Sequence, residues 1–557
     1  MRIQILAVAA LLAAACQRSS GAAGGSSPAP GAAQPVVLRM VYGSEKKTWL
    51  AEELRLFEAS GPRTASGRPI RVEATAMGSG ESAEAIAHGN LQPHVYSPAS
   101  TAYLGLLNRA WLSTAGRTQP VAGAAEPLVL SPVVIAMWKP MAEALGWPRK
   151  ALGWSDLVAV NGGGKGWAAH GRPEWGAFKL GHTHPEFSNS GLLAVLAEAY
   201  AGAGKSRGLV AQDLAAKRTR DFITRVEGTI VHYGESTGFF AEKMQERGPS
   251  YLSAAVLYEN LVIESYAKAG AAFPLVAIYP VEGTFWSDHP YVVLDAPWVG
   301  SEERDAAGRL QQFLRARPAQ ERALALGFRP ADPAVPIGAP LDAAHGVDPK
   351  QPQTLLEVPD AAVLEAVLDA WRSTKKSADV ILVFDKSGSM EGRPLAAAKA
   401  GARKFLETLG DRDEATLLFF DHTLYPPVGP LPLSTGRADL LRRVDEMIAG
   451  GGTALYDATQ AAYALAEERT RTDRSRIHAV VIMTDGKDEN SKLTFDALRS
   501  ELSHPEREAP VKVFTIAFGA QAQRDVLAQI AEAAQGKSAA GDLDTIVAIY
   551  RDMGSFF

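Results

Sequence analysis

Asp385, Ser387 and Ser389 stand at alternate positions in "VFDKSGSM", where the apolar run "DVILVF" (379–384) stops. Alternate residues of an extended segment point the same way, so one carboxylate and two hydroxyls converge. Such oxygen donors suit a hard divalent cation, Mg2+ or Mn2+, rather than zinc. Two further loops offer oxygens. "AGGGTALYDA" (449–458) presents Thr453 at a glycine run entering a helix, and "VVIMTDGKDEN" (480–490) presents Asp485 at a strand end. Together they supply five oxygen donors and leave one octahedral position open. Helix capping is the ordinary use of Ser and Asp at strand ends. The presence of all three loops favours the cation.

A second set of polar residues lies upstream. Ser44, Ser79 and Ser190 fall just before or at expected helix starts, and "FSNSG" (187–191) adds Ser188. Free backbone N–H groups and the helix dipole favour anions there, by about 0.3–1 kcal/mol each when exposed. Plain N-capping is the competing use of any one serine. Tyr279 ends an apolar run and faces either a cleft or the core. "GESTG" (234–238) has the layout of a nucleophile elbow around Ser236. A triad needs a downstream acid and then a histidine, but Asp288 and His289 are adjacent and His345 lies in a proline-rich stretch. Ser236 is therefore read as a further ligand-site residue and not as a nucleophile. The two "GKS" tripeptides lack the upstream glycine of a phosphate loop. "HTH" (182–184) with Glu186 has no specific metal spacing.

The elements that must hold these groups are legible in the hydrophobic pattern. Beyond residue 378, strand-like segments (379–384, 415–421, 477–483, 511–518) alternate with helical ones (394–409, 437–449, 454–469, 494–502, 523–535, 543–553). The strands are apolar and β-branched, as strands buried on both faces are. The alternation predicts a doubly wound, Rossmann-like α/β domain over 378–557, with its site at the C-terminal strand ends. Residues 36–335 also mix strands and helices. Two apolar runs, 127–138 and 273–280, read as crossings between two lobes, the second lobe spanning about 138–272. A proline-rich linker and a short helix (336–377) join the halves.

The 557-residue chain, with 46% hydrophobic and 21% charged residues, has an ordinary globular balance. Its net charge of -5 gives no basic footprint for nucleic acid. With one cysteine, Cys16, no intramolecular disulfide forms. The apolar run Ile5 to Ala15 is too short to span a bilayer and fits an export signal. Residues 17–35, rich in Gly, Ser, Ala and Pro, read as a flexible tether.

Three resemblances extend this reading. Small residues before Cys16 resemble a bacterial lipoprotein cleavage site, with Ala13 where Leu is usual, which implies an acylated Cys16 and anchorage in the bacterial cell envelope, facing the periplasm or exterior. The Asp-x-Ser-x-Ser motif with Thr453 and Asp485 resembles the von Willebrand factor A domain and its metal-ion-dependent adhesion site. That resemblance implies a divalent cation, Mg2+ first and Mn2+ or Ca2+ as alternatives, held by Asp385, Ser387 and Ser389, with Thr453 and Asp485 acting partly through water. It also implies a protein partner that supplies an Asp or Glu to the open position. Residues 36–335 resemble the two-lobed periplasmic-type solute-binding proteins, including "HTHPEFSNSGLLA" (182–194) and "LVAIYPVEGTFWSDHPYVVL" (275–294). The whole is similar to bacterial lipoproteins that join such a domain to a von Willebrand factor A domain. A small anionic solute is the implied ligand, and the implied role is binding without catalysis. A solute-binding accessory of an ABC-type transporter is the alternative, with a serine hydrolase or a chelatase-type component behind it.

Overall fold

The computed structural model describes residues 34–114, 116–267, 273–485, 487–503, 511–518 and 522–541. Cys16, nearly all of the tether and the helix expected at 543–553 lie outside these residues. The upstream half holds two sheets. A five-stranded sheet has Val36–Gly43 paired in parallel with Ile70–Met77 and with Val95–Ser97, and the returning strand Pro290–Val293 beside the latter. A seven-stranded sheet is built around Val129–Trp138, which pairs with Ala254–Tyr258 and with Leu275–Ile278. Both apolar runs expected as crossings are thus strands of the second sheet. The lobe between them is densely apolar: helix Asn189–Ala203 is buried over nearly its whole surface, as a helix wrapped by neighbours must be.

The C-terminal domain is a six-stranded sheet. Its central strand Ala378–Asp385 is buried along its whole length and runs parallel to Glu414–Phe420 on one side and Ile477–Thr484 on the other. Each fully buried Val, Ile, Leu or Phe there contributes roughly 1.5–3 kcal/mol. Among the described residues the next two strands lie on one side of the central one and the last three on the other. The order therefore reverses between Ala378–Asp385 and Ile477–Thr484, and the loops leaving their carboxyl ends diverge. Sites of open α/β sheets form in that crevice. Lys512–Phe518 and Ser538–Gly541 continue the parallel arrangement.

Two features depart from the sequence reading. The sheet ends in an antiparallel edge strand, Val428–Pro432, too short and proline-rich to stand out from a loop. The following helix begins at Leu433, not near 437. Gly436 makes this possible, because a Cβ there would lie 2.6 Å from the Leu431 Cβ. The proline-rich connection is extended but docked on the solute-binding half: Ala277 N–H donates to the Gly346 carbonyl and Thr284 N–H to the Thr354 carbonyl.

Candidate metal centre and ligand cleft

The central strand ends in Asp385, whose Oδ1 accepts the Ser387 N–H at 2.8 Å, while its Oδ2 accepts from Thr484 Oγ1 at 2.5 Å. The first bond folds the loop back so that Ser387 and Ser389 follow the acid. Ser387 Oγ and Ser389 Oγ are 3.0 Å apart, and Ser389 Oγ donates to Asp485 Oδ1 at 2.8 Å. Oxygens from two strand ends therefore meet at the reversal point. The Thr453 loop is pinned to both. Gly388 N–H donates to the Gly451 carbonyl, and the Thr453 N–H and carbonyl bond Asn490 Oδ1 and the Glu489 and Asn490 N–H groups. Thr453 is itself buried.

These groups fit a small hard cation. With metal–oxygen bonds of about 2.0–2.1 Å, neighbouring octahedral ligands lie roughly 2.9 Å apart. The 3.0 and 2.8 Å separations along Ser387, Ser389 and Asp485 match that edge length. The electrostatics agree. Burial lifts the Asp385 carboxyl above the usual carboxylate range against the bonds from Thr484 and Ser387, and the Asp485 charge adds to it. Burial likewise lifts Asp485. Two acids raised by burial and crowding are what a cation relieves.

One flanking group escaped the sequence reading. Asp421, at the end of the neighbouring strand, accepts from Lys386 Nζ at 2.8 Å and Tyr425 OH at 2.7 Å. Burial works to raise its carboxyl, but the bonds from Lys386 and Tyr425 outweigh it and hold Asp421 below the usual range. The signal was present, since Asp421 also ends a strand at the carboxyl edge.

The upstream candidates sit mostly where the two lobes meet, and the lobes are shut on one another. Ser44 of the first lobe donates to Ser236 Oγ at 2.9 Å and accepts the Gly238 N–H at 3.1 Å, capping the second-lobe helix Thr237–Arg247. Ser188 Oγ lies 3.2 Å from Thr237 Oγ1, which donates to Ser190 Oγ at 2.9 Å. Ser79 Oγ accepts the Ala99 N–H, and beside it Gly80 N–H donates across the junction to the Phe187 carbonyl at 2.9 Å. The helix N-termini expected to attract an anion are thus met by protein oxygens. Tyr279 does not join this group: it donates to Glu259 and accepts the Asp348 N–H. Nor does Ser236 face an imidazole among the described residues; its hydroxyl partner is another serine.

The centre of the junction is polar in ways the sequence reading missed. Lys46, fully buried, lies 2.8 Å from Glu45 Oε1 and 3.2 Å from His289 Nδ1. Burial pushes Lys46 down; it also works to raise Glu45, but Lys46 and His289 win and hold that carboxyl at about 2. Asn189 donates to Tyr258 OH and Ser287 Oγ. Ser97 Oγ, Asn189 Oδ1 and His289 Nε2 are buried without a hydrogen-bond partner among the described residues. Native proteins leave few such atoms, and each calls for a cause. The sequence reading considers His289 only as a triad member and does not single out Lys46.

Residues 38–329 match the family of bacterial extracellular solute-binding proteins, and residues 379–546 match the von Willebrand factor type A domain. An uncharacterized protein of Synechocystis is 28% identical over 159 residues, which are 28% of this chain; the chain spans only 36% of that relative's length. A von Willebrand factor type A structure from Catenulispora acidiphila is 23% identical, covering 33% of this chain and 43% of that one, with a TM-score of 0.29. A periplasmic thiamin binding protein is 13% identical, covering 61% of this chain and 96% of that one, with a TM-score of 0.43. No described helix is long and apolar enough to cross a membrane. The chain belongs to the bacterial extracellular solute-binding proteins and carries a von Willebrand factor type A domain in the same polypeptide.

Proposed function

We propose that this is an extracytoplasmic, lipid-anchored binding protein whose C-terminal domain captures a partner protein through a metal-dependent adhesion site. The observation that carries the reading is the run of oxygens from Ser387 through Ser389 to Asp485, spaced at 3.0 and 2.8 Å where the strand order reverses. Asp385, Ser387 and Ser389 form the first metal-binding loop, with Thr453 and Asp485 completing the set. Mg2+ is the expected ion, and bound there it supplies one electrophilic position to a carboxylate from outside. Asp385 holds the loop geometry through the Ser387 N–H, and Thr484 keeps its second oxygen in place. Asn490 and Gly388 hold the Thr453 loop against both strand ends.

The solute-binding half is proposed to take a small anionic solute between its lobes, on Lys46, Asn189 and the serines 44, 79, 188, 190 and 236. Family membership over 38–329 also favours a second reading, a solute-binding accessory of a transporter. In both readings Cys16 is the acylated anchor. The adhesion reading is tested by retaining membrane-extract proteins on the immobilised chain. A Mg2+-dependent partner should be released by EDTA and absent from an Asp385→Ala column. A partner held equally in EDTA and by Asp385→Ala would sink the proposal.

A further inference from the structure

His182, Glu198 and Glu227 come from three separate elements of the second lobe: strand Leu180–Thr183, helix Asn189–Ala203 and the last residue of helix Lys217–Glu227. All three are fully buried, and one nitrogen or oxygen from each lies within 4.8 Å of the others. His182 Nδ1 is 2.7 Å from the Thr183 carbonyl. A carbonyl only accepts, so the Nδ1 position carries a proton. The other ring nitrogen, Nε2, then turns toward Glu227 Oε1 at 3.0 Å. In a neutral ring that is a lone pair facing a carboxylate, so something positive belongs between them. Tyr233 OH donates to the second oxygen of Glu227 at 2.6 Å.

Glu198 sharpens the case. Among the described residues neither of its carboxylate oxygens has a hydrogen-bond partner, and both are buried. A proton shared between His182 and Glu227 leaves Glu198 as it was, a buried acid with no hydrogen-bond partner among the described residues. Lys375 and Lys376 feel the Glu227 charge, but Glu198 accepts a hydrogen bond from neither. A single divalent ion among the three groups answers all of this. Two carboxylates and a neutral imidazole cancel its charge. The 3.0 Å spacing of Nε2 and Oε1 is a few tenths of an ångström short of a tetrahedral edge, about 3.3–3.6 Å for bonds of about 2.0–2.2 Å. A metal-bound imidazole donates its far N–H to a carbonyl, and a ligating carboxylate is itself hydrogen-bonded, as Thr183 and Tyr233 provide. The imidazole selects a transition metal over Mg2+ or Ca2+.

We propose that His182, Glu198 and Glu227 hold a structural divalent transition-metal ion, Zn2+ or Mn2+, inside the second lobe, independent of the adhesion site. The ion ties two helices to a strand of the lobe core. The full chain carrying Asp385→Ala, which removes the adhesion site, is the protein to test. As purified, it should hold one Zn2+ or Mn2+ per chain by plasma mass spectrometry. Because the site is buried, that metal should resist EDTA on the folded protein and leave on unfolding in EDTA. Refolding with Zn2+ or Mn2+ should restore it and raise Tm, and adding Glu198→Gln should abolish both. Absence of stoichiometric metal after purification and after refolding with either ion overturns the proposal, as does full retention by the Glu198→Gln chain. If that variant fails to fold, Co2+ refolding of the Asp385→Ala chain decides. Visible d–d bands of a low-coordinate site support the proposal, and their absence overturns it.

Discussion

Asp385 is buried, lifted above the usual carboxylate range by that burial, and faces a second lifted acid, Asp485. The sign of the resulting pH dependence follows. An unfolded Asp titrates near about 3.9. Without metal, the folded chain binds these protons more tightly than the unfolded chain. The site therefore costs stability above its folded pKa values, and the cost is relieved as pH falls from there toward about 3.9. Mg2+ needs both acids ionised, so its stabilisation runs the other way. The rise in Tm on adding Mg2+ should be full near pH 7 and should fade on acidification before an ordinary surface Asp would titrate, at about pH 4. A Mg2+ increment constant down to about pH 4 would contradict this. The five residues proposed for this centre are all nameable from the sequence, because three strand or loop ends carry them in short, recognisable runs. His182, Glu198 and Glu227 are not. His182 reads as a metal candidate only beside Glu186, at a nonspecific spacing, and Glu198 and Glu227 read as ordinary helix residues; only the packing of three distant segments assembles them.

Between the lobes, glycines decide how closely the elements meet. A Cβ on Gly80 would lie 1.9 Å from the Glu186 carbonyl oxygen, and one on Gly238 would lie 2.7 Å from that of Ser44. Both obstacles are backbone of the opposite lobe, which cannot swing aside as a side chain can. Gly80→Ala should therefore open the junction at a cost of about 1–3 kcal/mol. The expected readout is a larger radius of gyration by small-angle X-ray scattering and a lower Tm. An unchanged radius and Tm would mean that the closed junction is not the state in solution. The sequence pattern was enough to find two apolar strands of the second sheet and the serines near helix starts. It was blind to their use, since the groups that satisfy Ser44, Ser236 and the Gly80 N–H come from the facing lobe. Periodicity describes one element's buried face and says nothing of what arrives from outside. The same limit explains the misplaced helix start at Leu433, which depends on Gly436 fitting over Leu431.

The two halves are joined by more than the chain. Trp371, on the connecting helix Ala361–Thr374, is buried against His184 and Tyr233 of the second lobe, with ring centroids 4.8 and 5.5 Å away. Arg372 pairs with Glu186, and Lys537 of the von Willebrand factor type A domain pairs with Glu235. Arg247 donates to the Gln535 carbonyl at 2.6 Å. Glu186 and Glu235 immediately precede Phe187 and Ser236, the residues that meet the other lobe, so the junction between the lobes and the C-terminal domain share a boundary. The division into two domains was plain in the sequence, where a proline-rich stretch separates two patterns; their docking was not, because it rests on single side chains from each. The central claim, a cation held by Asp385 and its neighbouring loops, is tested most directly by calorimetric titration of Mg2+ into the EDTA-treated full chain and into its Asp385→Ala variant. The account predicts one Mg2+ bound per wild-type chain and none by the variant, with the fold of both intact by circular dichroism. Equal Mg2+ binding by both chains, or none by the wild type, would contradict it.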